Sequence, residues 1–350
     1  MATKTTPKSV LIIRLSALGD VAITVPVVYT VCRANPDVRF VMVTQQWPAT
    51  MMLNPPPNLT VVGVNVKTEN KTAFALWRLA SRFKREYDID AVADLHSVIR
   101  SWVIDCRMKA SGIPVVRINK ERKARHSLVH GKTDTVITPT VERYRKVFEQ
   151  LGLNTPDNTF TDIFQGAALP QSPIVPMKED GERWIAIAPF SRHKGKEYPL
   201  ERMRQVVGQL AAMPRTQIFL MGGGKKERMA LHGIAQPLNN VVNLAEVKHG
   251  FSDELTLLHH CDVMLSMDSA NMHLASLVGL PVVSVWGATA PACGFMGYHQ
   301  SMDNVVERHD LDCRPCSIYG ENPCRHGDYR CLDIDPERIV DRVKKILDRN

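Results

Sequence analysis

No stretch of this sequence approaches the roughly 18 consecutive apolar residues that a membrane-spanning helix needs. The first apolar run, Val10 to Ile13, is also shorter than the about 7–15 residues of a signal-peptide core. It follows a polar start, Met1 to Ser9. A cytoplasmic chain is therefore expected, with peripheral contact at the inner face of the cytoplasmic membrane as its one membrane option. Internal repeats and low-complexity blocks are absent. Two standard phosphate loops are missing: there is no G-x-x-x-x-G-K-[ST] pattern, and Gly222-Gly223-Gly224 is not a G-x-G-x-x-G fingerprint. No aromatic-interleaved basic motif occurs, so nucleic acid is not an expected partner. No acidic metal-ligand pair is evident.

What is present is ample chain and positive charge. The 350 residues suit two domains. The formal net charge of +8 favours anionic partners: nucleotide diphosphates, phosphorylated glycolipids or an anionic membrane surface. One local concentration stands out, Lys120, Arg122, Lys123, Arg125 and His126. It fits either a loop of the first half that attracts an anionic acceptor or the membrane surface, or a merely solvated loop.

Strand-like and helix-like segments alternate. Val10–Ile13 suits a strand buried on both faces. An apolar helical stretch follows to about Ala34, and Pro26 predicts a start near Thr24 or a kink. Strands are expected at Phe40–Val43, Val61–Val66 and Ala91–Leu95, with a helix over Thr72–Tyr87. The proline-rich segment 166–181 reads as a linker between a first domain, 1–165, and a second, 182–334. In the second, strands are expected at Trp184–Ala188, Gln217–Met221, Val241–Leu244, Val263–Ser266 and Val282–Trp286, with helices between. A last helix occupies 335–350, capped by Asp335 with Pro336 at its first position. Its stripe of Ile339, Val340, Val343, Ile346 and Leu347 suits docking on the protein, with a membrane-lying helix as the alternative. The class is α/β, with two doubly wound parallel sheets.

Four segments carry chemistry. In Arg14 to Val21, Asp20 lies between strand and helix, where α/β active sites form, and either caps the helix or acts as a base. Ser191 to Pro199 places Lys194 and Lys196 after a strand, suited to a diphosphate or simply solvated. In Gly222 to Glu227, Glu227 either accepts from ribose hydroxyls or is an exposed first-turn acid. Ser266 to Ala275 ends a strand and opens a helix, where free N–H groups and the helix dipole favour an anion. Ser269 can add a hydroxyl there, and His273 lies near the first turn.

Arg14–Val21, Lys196-Glu197-Tyr198-Pro199, Gly222-Gly223 with Glu227, and Asp268-Ser269-Ala270-x-x-His273 occur in an order that resembles glycosyltransferase family 9, which contains the ADP-heptose:lipopolysaccharide heptosyltransferases. Asp94-Leu95-His96-Ser97 and Arg143-Tyr144 look similar as well. The resemblance spans about residues 9 to 347. It implies a GT-B fold, two Rossmann-like domains facing a cleft, with the acceptor in the first half and a nucleotide sugar in the second. It implies inverting transfer without a metal or other cofactor, from a donor that is ADP-heptose by family default. The acceptor would be a lipopolysaccharide core or related anionic glycolipid. Asp20 matches the family's general base and Lys196 its donor-phosphate lysine, with Ser191, Glu227, Asp268, Ser269, Ala270 and His273 completing the donor site. Lys120, Arg122, Lys123 and Arg125 are candidates for the acceptor. A nucleotide-sugar-binding protein of the same fold without turnover is the alternative.

Of eight cysteines, Cys32, Cys106 and Cys261 lie in apolar surroundings and are expected to be buried. Cys313, Cys316, Cys324 and Cys331 cluster in a loop, 313–331. Free or redox-labile thiols, tetrahedral zinc, a disulfide and an iron–sulfur cluster all remain open for these four.

Overall fold

The computed structural model describes residues 6–131, 135, 137–157 and 159–349. The start of the polar N-terminus, residues 1–5, lies outside the described residues. The chain divides into two compact units, Met1–Lys120 with Thr138–Ala167, and Glu121–Ile137 with Ala168–Asn350. The division at Ala167 falls within the proline-rich linker.

The first unit runs β1 (Ser9–Ile13), α1 (Leu18–Ala34), β2 (Arg39–Gln45), α2 (Gln46–Ala49), β3 (Leu59–Val64), α3 (Ala73–Tyr87), β4 (Ala91–Asp94), α4 (Ile99–Lys109) and β5 (Val115–Arg117). After α5 (Arg122–Val129), which belongs to the second unit, the chain returns for α6 (Thr140–Gln150). Its five strands are ordered β3-β2-β1-β4-β5 and all pair in parallel, with Ile13 beside Val43 on one side and Asp94 on the other. β1 is buried on both faces, as its unbroken apolar run requires. One face packs Leu11, Ile13 and Val92 against Leu76, Leu79 and Phe83 of α3 and Ile104 and Met108 of α4.

Pro26 neither starts nor divides α1, which runs through it. The loss of a helix bond and the ring clash cost about 3 kcal/mol or more. Every residue from Val21 to Cys32 is buried, and at about 1.5–3 kcal/mol for each large apolar side chain the packing outweighs that cost. Helix α3 is clean: the Thr72 hydroxyl accepts from Ala75 N–H at 3.1 Å, and its buried residues recur at helical spacing.

The second unit repeats the plan: β6 (Arg183–Ala188), α7 (Leu200–Ala211), β7 (Thr216–Leu220), α8 (Gly224–Ala235), β8 (Val241–Asn243), α9 (Phe251–His260), β9 (Val263–Met267), α10 (Ala270–Leu277), β10 (Val282–Val285), β11 (Val305–Val306) and α11 (Pro336–Leu347). Its sheet is ordered β11-β10-β9-β6-β7-β8, again parallel. The Asp335 side chain caps α11 by accepting from Glu337 N–H at 3.0 Å. The apolar stripe of that helix docks in the second unit's own core, beside Ile185, Met203 and Val207, so it is not a membrane-lying helix.

The basic segment departs from expectation. It is helical over Arg122–Val129 and packs in the second unit, not as a loop of the first half. The reason is its single apolar face: Ala124 and Leu128 join Ile137, Cys293, Phe295 and Ile318 in a small separate cluster.

Candidate active site

In a doubly wound sheet, ligands gather at the carboxyl ends of the strands where the strand order reverses. In the first unit that point lies between β1 and β4, and in the second between β6 and β9. The residues following these four strands therefore stand where a ligand would be met.

After β1, Arg14 is buried and its Nη1 donates to the carbonyl of Leu95, just after β4, at 2.8 Å. Its Nη2 holds Asp20 Oδ2 at 2.6 Å. The same oxygen accepts from Ala17 N–H at 3.3 Å. Asp20 thus both caps the start of α1 and is ion-paired, while its side chain keeps 24% exposure. A carboxylate so placed is fixed in direction and still reachable. After β4, Asp94 Oδ1 accepts from the backbone N–H groups of His96 and Ser97, and its Oδ2 from the Ser101 hydroxyl. This shapes the turn that presents His96. Burial, helped by Arg14, pushes the His96 imidazole down to about 3, so it is neutral at physiological pH. Its buried Nδ1 has no hydrogen-bond partner among the described residues. Behind it, burial and the neighbouring Asp94 push Asp105 up to about 7 against the opposing pull of Arg117, whose Nε lies 2.5 Å from Asp105 Oδ2. His96 was visible in the sequence only as part of the Asp94–Ser97 stretch. The Asp105–Arg117 pair carried no sequence signal.

In the second unit, the loop after β6 ends in a single 3-10 turn, Lys194–Lys196. Lys196 Nζ lies 3.0 Å from Asp268 Oδ2, with both side chains largely buried. The Thr289 hydroxyl donates to the same oxygen at 2.7 Å, and the Ser191 hydroxyl donates to the Asp268 carbonyl at 3.4 Å. So Ser191, Lys196 and Asp268 come together. Ser269 is the N-cap of α10, but its hydroxyl makes no cap bond and instead lies 3.2 Å from that of Ser266. Ala270 is the first helical residue, and His273 is buried within the helix. Glu227 stands in the first turn of α8 and accepts from Gly223 N–H at 2.7 Å.

Two glycines seat this site. Ala288 N–H donates to the Gly195 carbonyl at 2.7 Å, and a Cβ on Gly287 would stand 2.3 Å from that carbonyl oxygen. Gly320, with φ +82°, lies flat on the Lys196 stem, where a Cβ would be 2.4 Å from Cδ. The cysteine-rich loop that carries Gly320 is fastened by Arg314, whose buried side chain donates to the carbonyls of Gly287 and Thr289 and to Glu307.

The basic candidates separate. Arg122 and Lys123 are exposed on α5. Arg125 instead lies over the rings of Phe295 and Tyr319 and bonds the Tyr319 hydroxyl. Lys120 ends the first unit. Cys32 and Cys261 are buried as expected, but Cys106 is exposed, on the outer side of α4. The eight cysteines are free thiols, so no disulfide joins the loop. Among the described residues, no group of three or more His, Cys, Asp or Glu is placed to hold a metal ion, which includes the four loop cysteines. Burial raises the Cys324 thiol, but backbone groups of residues 326–329 outweigh it and draw it below the usual range.

Two Rossmann-like units, each with polar residues at its switch point, define the class by fold: GT-B. Residues 76–322 match the profile of glycosyltransferase family 9 (heptosyltransferase), and the chain belongs to that family. It is 22% identical to the lipopolysaccharide core heptosyltransferase OpsX of Haemophilus influenzae, over 97% of each chain. Its fold is similar to that of a family 9 glycosyl transferase from Veillonella parvula, with a TM-score of 0.75, 17% identity and 98% of each chain covered. It is also similar to that of E. coli heptosyltransferase WaaC with ADP, with a TM-score of 0.66 at 18% identity, covering 97% of this chain and 99% of that one.

Proposed function

We propose that this glycosyltransferase moves a heptose from ADP-heptose to a lipopolysaccharide-core acceptor in one inverting displacement that needs no metal ion. The observation that carries the reading is Lys196, held by buried Asp268 where α10 begins. A carboxylate cannot itself receive a diphosphate, so Asp268 acts by fixing the ammonium. Lys196 and the N–H groups at the start of α10 supply the positive field that a leaving nucleoside diphosphate requires. Ser191, Ser269 and Ala270 N–H complete the phosphate contacts, with His273 beside them. Glu227 has one carboxylate oxygen committed to Gly223, and the other faces the ribose. Similarity to the lipopolysaccharide core heptosyltransferase OpsX and to heptosyltransferase WaaC supports heptose as the sugar and the lipopolysaccharide core as the destination.

In the reaction, an acceptor hydroxyl gives its proton to Asp20 as its oxygen attacks the anomeric carbon. The bond from that carbon to the diphosphate oxygen breaks, and the negative charge passes to the nucleoside diphosphate. Arg14 holds Asp20 in place and aims it. Lys120, Arg122 and Lys123 attract the anionic groups of the acceptor, and Arg125 anchors the helix that bears two of them. The enzyme works on the cytoplasmic side of the membrane.

The test is Asp20→Asn, assayed by release of ADP with donor and core-oligosaccharide acceptor. Asn keeps the cap but not the basicity, so kcat should fall by about 10²–10⁴-fold with donor affinity unchanged. Turnover close to wild type would falsify the assignment. Activity should persist in EDTA, and its loss there would overturn the metal-free mechanism.

A further inference from the structure

The first unit carries an apolar surface that the proposed chemistry does not use. Phe74 is 71% exposed, Ile99 75% and Trp77 41%. Phe74 and Trp77 stand one turn apart on α3, and Ile99 opens α4. Both helices join parallel strands, so they run in the same direction. Ser81 and Arg107, equally far from the starts of α3 and α4, share a hydrogen bond of 2.7 Å. The two first turns are therefore level, at the carboxyl edge of the sheet, where Asp20 also lies.

The surroundings are cationic. Arg78 lies 5.9 Å over the Phe74 ring and Arg107 5.6 Å over the Trp77 ring. The two helices carry seven Lys and Arg against two acids. One of these acids, Asp105, is buried, and the other, Glu86, is paired with Arg82. An exposed aromatic and aliphatic tip with arginines folded over it fits neither plain water nor an apolar protein face. It matches a bilayer interface, where rings sit at headgroup level and arginines reach phosphates.

We infer that the first turns of α3 and α4 dock on the surface of an anionic phospholipid bilayer. Docking brings the edge that carries Asp20 to the plane in which a glycolipid acceptor is held. That consequence rests on the proposed function, whereas lipid binding itself does not.

The test is flotation of the full chain, without donor, with vesicles of phosphatidylcholine alone or mixed with phosphatidylglycerol. The protein should float with the mixed vesicles, be released by salt, and stay behind with the neutral ones. Phe74→Ser with Ile99→Ser, and separately Arg78→Glu with Arg82→Glu, should each weaken binding about tenfold or more at unchanged melting temperature. Absence of binding to the mixed vesicles, or equal binding by the apolar variant, overturns the inference. So does a concentration-dependent oligomer in light scattering that the apolar variant dissolves, since the face would then be a protein interface. On a soluble truncated acceptor the apolar variant should keep wild-type turnover, so failure of lipid docking and failure of the transferase reading give different results.

Discussion

Asp105 shows how a single buried carboxyl sets a pH dependence. It lies under the switch point of the first unit, beside Asp94, whose oxygens are held by two backbone N–H groups and a serine hydroxyl. Burial first, and the adjacent negative charge second, raise it from 3.8 to about 7. A raised folded-state value means that the folded chain holds the proton more tightly than the unfolded chain. The resulting stability is complete below about 4 and is lost as pH climbs through about 7. Asp105→Asn holds the neutral form throughout. Relative to wild type, the Asn variant should therefore gain melting temperature from pH 5 to about pH 7 and level off above it. A difference that stays flat across this window would mean that Arg117 keeps Asp105 ionised. Cys324 belongs to the same scale. Its thiol is drawn down by surrounding backbone groups, so iodoacetamide should label it in the native protein while buried Cys32, Cys261 and Cys293 stay protected. Labelling of the buried three at the rate of Cys324 would contradict this.

At the scale of elements, the loop after β6, the start of α10 and the cysteine-rich loop form one support for Lys196. Gly320 and Gly327 separate support from mere strain. Both have positive φ, +82° and +76°, but a Cβ at Gly320 meets the Lys196 stem and one at Gly327 meets nothing within 4 Å. An Ala in either position bears about 1–3 kcal/mol of backbone strain. Gly320→Ala should also raise the donor KM about tenfold, while Gly327→Ala leaves it alone. Equal kinetics in the two variants would free Lys196 from the loop. This coupling was not legible in the sequence. Lys196 and Asp268 each stood out beside their own strand, because strand-loop-helix punctuation is local. Their ion pair, the Thr289 hydroxyl and the contact with Gly320 arise only when β6 and β9 become neighbours. Helix α5 escaped notice for another reason: its exposed face is so charged that Ala124 and Leu128 alone do not make a period. A helix start near Thr24 failed as an expectation because an interior proline, costly in isolation, is tolerable where the helix is buried along its length. The alternating buried strands, in contrast, carry their own evidence, since β-branched runs such as Val10–Ile13 have no other stable place than the middle of a parallel sheet.

At the scale of the whole molecule, charge connects these parts. The chain carries a net +8, and both proposed substrates are anions, so the field favours encounter before any contact forms. The residues differ in what they contribute to it. Arg14 is buried and Lys196 largely so, and both are ion-paired, so salt screens them little. Arg122 and Lys123 are exposed, and their reach shortens as the Debye length falls from about 30 Å in 0.01 M salt to about 8 Å at 0.15 M. The proposed division of labour predicts different salt responses for the two substrates. With the acceptor varied, kcat/KM should fall about tenfold across that range, and kcat should hold. Arg122→Ala with Lys123→Ala should lower kcat/KM for the acceptor at low salt and flatten its salt dependence. The donor KM should not move, because Lys196, Asp268 and the start of α10 are untouched. Both substitutions lie on an exposed helical face, so melting temperature should stay near wild type. If the double variant instead raises the donor KM and keeps the acceptor's salt slope, α5 serves the nucleotide. Its placement with the second unit would then mark it as part of the donor site.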